Sequence, residues 1–183
     1  DALSAVCAEQ AVSSSESSAR SAMAVFRCRK AFIPYDFLAV DQAAALSAYV
    51  LCDAFFRGAL TAEDYPRLKK ALESEISSVQ FENRSTSFVL DYVGACNAAA
   101  EVAASCGDNS FASKMKEKAL RWKDVYDAKT GLVLEKGKFY EGNNWNYSFR
   151  PHPYMRDRVA LAGGAERFNA LLDKLLGIIK EDV

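Results

Sequence analysis

Between Lys138 and Tyr154 the sequence reads KFYEGNNWNYSFRPHPY, placing one carboxylate, Glu141, among six aromatic residues, three asparagines and Arg150 within 17 positions. Polar groups interleaved with rings suit a sugar, whose C–H faces stack on side chains such as Trp145 and Tyr147 while its hydroxyls need fixed donors and acceptors, here Asn144, Arg150 and His152. Gly142, next to Glu141, lets backbone approach a ligand closely. The same composition also fits a plainer purpose: a loop that crosses the end of a helical array and buries its rings to cover the core. A Glu before Gly-Asn-Asn serves equally as a solvated or capping carboxylate.

Other chemistries find little footing. His152 is the only histidine, so neither an H-E-x-x-H zinc site nor a cluster of histidine ligands can form within this chain. Between Pro151 and Pro153 its backbone is held extended, as in a rigid wall residue. There is no G-x-S-x-G elbow, no P-loop and no G-x-G-x-x-G. Lys and Arg number 23 against 24 for Asp and Glu, so no field of one sign draws in nucleic acid. The lysines at 69, 70, 114, 116 and 118 read as solvated helix faces, and Asp41 as a helix-start charge. Five cysteines without a C-x-x-C pair argue for buried free thiols over a disulfide framework. No apolar run reaches the roughly 18 residues of a membrane-spanning helix. The chain opens at Asp1 with no basic n-region, as expected of a segment cut from something longer.

The elements that must position the loop are helices. Apolar spacing predicts helices over Gln10–Phe26, ending before Ile33-Pro34, and over Asp41–Phe56, with Leu46, Val50, Leu51, Ala54 and Phe55 on one face and Gly58 at its end. Thr61 and Asp64 make a capping-box-like start before Leu68, Leu72 and Ile76, with Pro66 in the first turn. Ser85–Cys106 is rich in small residues and ends at Gly107; Asp108 or Asn109 caps the next helix, whose stripe is Phe111, Met115, Trp122, Val125 and Tyr126. After Gly163-Gly164, Phe168, Leu171, Leu172, Leu175, Leu176 and Ile179 follow helical spacing. Residues 131–134 and 139–140 suggest a small hairpin around Lys136-Gly137. The class is all-α, one domain of antiparallel helix pairs, arranged as a solenoid or a closed α/α toroid.

Tyr140 to Phe149 resembles the signature E-G-N-x-W-Q-Y-S-W of glycoside hydrolase family 92, the calcium-dependent exo-α-mannosidases. Gly163-Gly164, Phe168 and Leu172-Asp173 match the M-G-G-x-x-x-F-x-x-x-L-D pattern found after it in the family. Upstream, Tyr126 to Gly131 is similar to F-D-P-x-T-G, and Leu90-Asp91-Tyr92 stands where the family has L-E-Y. The likeness is strong from about Ser85 onward and looser before, where Val40 and Gln42 replace the Gly and His of a G-D-H helix. Asn146 replaces the usual Gln, and Arg150-Pro151-His152-Pro153 replaces V-P-H-D or V-P-Q-D, losing its Asp at Pro153.

The resemblance implies an inverting exo-α-mannosidase that removes terminal mannose from glycans, with Glu141 as the catalytic acid. It further implies substrate contacts at Trp145, Tyr147, Asn144, Arg150 and His152, a calcium contact at Asn146, and a secreted or cell-envelope setting. Residues 1–183 would form an incomplete portion of an (α/α)6 toroid, an open arc with an exposed apolar patch. The base, the remaining sugar-binding aromatics and the other calcium ligands would come from the rest of the parent chain, leaving the segment inactive alone. Asn143, Asn144 and Asn146 beside one carboxylate predict weak or no calcium binding by this stretch itself. The rival reading is a helical-repeat binding module whose aromatic loop holds a partner without chemistry.

Overall fold

The structure, a computed structural model, describes residues 45–178 apart from Ser78, Asn83, residues 136–138, Tyr140, Glu141 and Pro151. The expected helix over Gln10–Phe26, residues 41–44 of the next, and Ile179 lie outside the described residues. Seven α-helices and one two-stranded ladder occur among those described. They are α1 (Leu46–Phe56), α2 (Tyr65–Leu72), α3 (Thr86–Ser105), α4 (Asn109–Ala119), α5 (Asn144–Ser148), α6 (Met155–Leu161) and α7 (Ala165–Leu175). The ladder is formed by β1 (Tyr126–Asp127) and β2 (Leu132–Val133).

Helix α3 is the centre because its small side chains allow neighbours to approach on most sides: Gly94, Ala95, Ala99, Ala100 and Ala103 are all buried. Its ends are set by sequence. The Ser85 hydroxyl accepts from the Phe88 amide at 3.2 Å, satisfying a first-turn donor that has no partner within the helix. At the other end Gly107 takes φ +77°, its amide bonds Ala104 O, and the Asp108 amide bonds Ala103 O. The chain turns back at once into α4, an antiparallel pair capped by Asp108, whose carboxylate accepts from the Phe111 amide at 3.0 Å. Tyr65 and Lys69 of α2 also bond that carboxylate, at 3.0 and 2.6 Å, and hold it down at about 2, Lys69 contributing most.

Helix α1 presents a face shifted from the expected one: Leu51, Ala54 and Phe55 pack inward as expected, but Leu46 and Val50 do not. Leu46 is 54% and Val50 40% exposed, whereas Ser47, Ala48, Leu51, Cys52 and Ala54 are buried. The small residues win because α1 packs against α3, where close approach excludes bulk. Tyr49 crosses this contact and donates from its hydroxyl to Asp91 O at 3.1 Å. A Cβ on Gly94 would stand 1.8 Å from the Tyr49 Oη. Gly94→Ala is therefore expected to destabilise by ~1–3 kcal/mol despite its better helix propensity, read as a lower thermal midpoint. Adding Tyr49→Phe should recover part of the loss, since the hydroxyl is the nearest clash.

The ladder found is one that periodicity did not suggest. Strand β2 pairs antiparallel with β1, in the register Tyr126 to Val133, while the turn at Lys136-Gly137 and Tyr140 of the expected hairpin lie outside the described residues. The intervening turn explains the choice: Asp127 Oδ1 accepts from the Lys129 amide at 2.9 Å, and Gly131, at φ +71°, returns its amide to Asp127 O at 2.8 Å. In α7 only Leu171 is buried; Leu176 just beyond is 64% exposed. Cys52 and Cys96 are free and buried, their thiols pushed up to about 12 by desolvation.

Candidate active site

Glu141 lies outside the described residues, and the site is built from the residues C-terminal to it, beginning at Gly142. Gly142 takes φ +73°, and a Cβ there would fall 2.7 Å from Asn146 Oδ1, so the position suits only glycine. Asn143 then caps α5: its Oδ1 accepts from the Trp145 amide at 3.0 Å and the Asn146 amide at 3.4 Å, while its own amide donates to Asn146 Oδ1 at 3.2 Å. This reciprocal box makes a five-residue helix out of the N-W-N-Y-S string.

Helix α5 is tied to β2. Ser148, fully buried, accepts from the Val133 amide at 2.7 Å and donates to Asn144 O at 2.5 Å, while Asn144 Nδ2 donates to Val133 O at 3.4 Å. Tyr147 packs on Phe139 with ring centres 5.2 Å apart, and Phe149 lies against Phe168 of α7 at 5.4 Å. The loop is thus held to the core by rings and by hydrogen bonds together.

The sequence-predicted substrate residues separate into two recesses. Trp145 and Asn146 line an open hollow with Asn143, Lys174 and Leu175, where the Lys174 ammonium stands 5.7 Å from the Trp145 ring centre. Arg150 and His152 line a smaller pocket of about 140 Å³ with Tyr49, Leu90 and Pro153. Tyr147 borders neither recess, and Asn144 spends its amide on β2.

The smaller pocket carries residues that sequence reasoning passed over. Asp91 pairs with Arg150 at 2.5 Å, and burial holds its carboxyl above the ordinary range, against the pull of Arg150. Burial also pushes the Tyr49 phenol up to about 12. The only sequence signal for Asp91 was its place in Leu90-Asp91-Tyr92, and Lys174 was hidden in an apolar helical stripe.

His152 is half-buried, and its Nδ1 accepts from the Tyr154 amide at 3.2 Å. Its ring packs on Trp122 at 5.1 Å, and desolvation, helped by Arg158, lowers its pKa to about 4. A second proton would land on the nitrogen that faces the Tyr154 N–H. The unfolded chain, with an ordinary histidine pKa, takes up that proton first as pH falls. Stability is therefore expected to decline between pH 6.5 and about 4. His152→Gln should flatten the difference over that interval in thermal melts run across pH, an unchanged slope being the contrary result.

Calcium does not find a self-contained site among the described residues. No group of three or more His, Cys, Asp or Glu side chains gathers there, and the one amide oxygen of Asn146 already accepts from Asn143. Calcium takes six to eight oxygens, so Asn146 would be at most one of several ligands drawn from elsewhere. Nor is any helix of the described residues long and apolar enough to cross a membrane.

No curated protein and no solved structure matches the chain. Residues 39–182, however, match the model of the glycosyl hydrolase family 92 catalytic domain, a span that takes in both recesses, the capped α5 and all seven helices. With most of its sequence inside that match, this chain belongs to glycosyl hydrolase family 92.

Proposed function

We propose that the chain carries the acid-bearing portion of an exo-acting, inverting α-mannosidase, with Glu141 as general acid. The family match over residues 39–182 supports the reading most, because it favours glycoside hydrolysis over a helical module that only binds. The all-helical architecture fits part of an (α/α)6 toroid. Within it the Gly142 turn and the Asn143 box fix the backbone directly after Glu141.

The reaction requires a proton on the glycosidic oxygen as the C–O bond breaks, and a water activated on the opposite face of the sugar. Glu141 supplies the proton. The base would stand roughly 6.5–9.5 Å from it to leave room for the water, and it belongs to another part of the enzyme. Trp145 offers a ring to a sugar face in the open hollow, with the Lys174 ammonium and the Asn143 and Asn146 amides at its rim. In the smaller pocket Arg150, held by Asp91, would meet hydroxyls of the next sugar, and His152, with one ring nitrogen engaged by the Tyr154 amide and the other buried, would serve as its wall. Calcium, with Asn146 as one contact, would orient hydroxyls of the bound mannose in the intact enzyme.

The intact protein, given α-mannosyl disaccharides and followed by proton NMR, should release β-mannose first and mannose alone from the non-reducing end. Initial release of α-mannose would remove inversion, and oligosaccharide products would remove the exo mode.

A further inference from the structure

Five buried side-chain polar atoms among the described residues lack a hydrogen bond of good geometry, and they belong to four neighbouring residues: Trp122 Nε1, Tyr126 Oη, His152 Nε2, and Arg158 Nε and Nη1, of which only the Arg158 guanidinium and the Tyr126 oxygen lie close enough to bond each other. The Trp122 ring lies 5.6 Å from Tyr126 and 5.1 Å from His152, and the Arg158 guanidinium sits 4.3 Å from the Tyr126 ring centre. These residues come from four separate places: the 3-10 turn Leu120–Val125, β1, the loop after α5, and α6. Scattered orphans would be incidental, but a cluster indicates a missing common partner.

Every one of the five can donate. Indole and guanidinium nitrogens have no other option, and the tyrosine hydroxyl, its oxygen facing the Arg158 guanidinium, keeps its own proton to donate. His152 Nδ1 accepts from the Tyr154 amide, which assigns the ring proton to Nε2. The cluster also carries a full positive charge. Arg158 is wholly buried and stays protonated, and no carboxylate pairs with it among the described residues. Its Nη2 donates to Gly131 O at 2.5 Å and Ser148 O at 3.4 Å, and the Tyr126 and Phe168 rings add partial negative charge. None of these is a counter-ion, and a buried charge without one is strongly destabilising.

From this arrangement we infer that Trp122, Tyr126, His152 and Arg158 form an internal binding site for a small inorganic anion of halide size. A water molecule fits less well, since its own hydrogens need acceptors and the cluster supplies little beyond the tyrosine oxygen. A larger ligand is disfavoured because Trp122 and Arg158 are both 0% exposed. The inference is independent of the glycosidase reading. It assigns the anion a structural place, since Arg158 joins the Gly131 turn to the end of α5.

The test is made on the intact protein. Crystals grown in sodium bromide, measured at the bromine absorption edge, should show an anomalous peak among Arg158, His152 and Trp122. In solution the thermal midpoint should rise by about 2–4 °C for each tenfold increase in chloride at matched ionic strength, once the site is partly filled, with a bulky organic anion as the control. Arg158→Met should lose that dependence; should it fail to fold, the bromide peak in the wild-type crystals decides alone. No peak, a protein carboxylate seated on Arg158, or equal midpoints in chloride and the organic anion would each overturn the site.

Discussion

Replacing Glu141 with Gln in the intact enzyme is expected to lower kcat on natural α-mannosides by roughly 10²–10⁴-fold, the usual contribution of a positioned acid. Sugar hydroxyls leave poorly as alkoxides, so proton delivery carries much of the barrier, and an amide cannot deliver one. The substitution keeps size and hydrogen-bonding capacity, so KM should move far less than kcat. The pH dependence supplies a second signature. An acid must hold its proton to work, and the wild-type rate should fall at alkaline pH as Glu141 ionises. That limb should vanish in the Gln variant while the acidic limb, set by the base, persists. Steady-state kinetics across pH on a natural disaccharide would show both; retained wild-type turnover would remove Glu141 from the mechanism.

Trp122→Ala should produce the largest loss of stability, ~3–5 kcal/mol, as expected for deleting a wholly buried indole. The side chain does more than fill space. It meets Tyr126 edge-on at 5.6 Å, lies 5.1 Å from His152 and stacks near-parallel on Tyr154 at 6.3 Å. Removing it leaves three rings without a common neighbour, and two of them, His152 and Tyr154, anchor the segment that follows α5. Tyr154 is otherwise held by its hydrogen bond to Asn97 at 2.8 Å. The thermal midpoint is expected to drop by roughly 6–15 °C, with Trp122→Phe costing much less. A midpoint within about 2 °C of wild type would mean that this aromatic stack is not the structural anchor it resembles.

Much of this fold could be read from residues alone, wherever a local rule decides the outcome. Asp108 was legible as a cap, with Asn109 as the alternative, because Asp and Asn favour that position, and Gly58 and Gly107 were legible as stops because left-handed backbone favours glycine; Ser85, read as the first helical residue, proves to be the cap of α3. The inward face of α1 was legible only in part: Leu51, Ala54 and Phe55 of the expected stripe do pack inward, but Leu46 and Val50 do not. Periodicity weighs Leu46 and Val50 by hydrophobicity, whereas packing on α3 selected Ser47, Ala48 and Cys52 by size. The pairing of β2 with β1 was not read from the sequence, although Asp127, whose side chain closes the turn, was its local signal.

The site was legible as a composition and not as a geometry. Trp145, Arg150 and His152 were named from one string, but the string bends around α5 and delivers them to two recesses. Tyr49, which lines the smaller recess, and Asp91, which holds Arg150 there, come from α1 and α3, far earlier in the chain, a proximity that tertiary packing alone creates. Arg158 had no signal at all, because an arginine in a short helix ordinarily reads as solvated and here it is buried.

The central claim, that Glu141 is the proton donor, is tested most directly by varying the leaving group on the Glu141→Gln enzyme. A dinitrophenolate departs without protonation, whereas a sugar alkoxide does not. Plotted against leaving-group pKa, kcat/KM of the variant should fall steeply while that of the wild type stays nearly flat. The variant should match wild type within about tenfold on the dinitrophenyl mannoside and lose roughly 10²–10⁴-fold on the natural disaccharide. A variant equally impaired on both substrates would contradict the assignment.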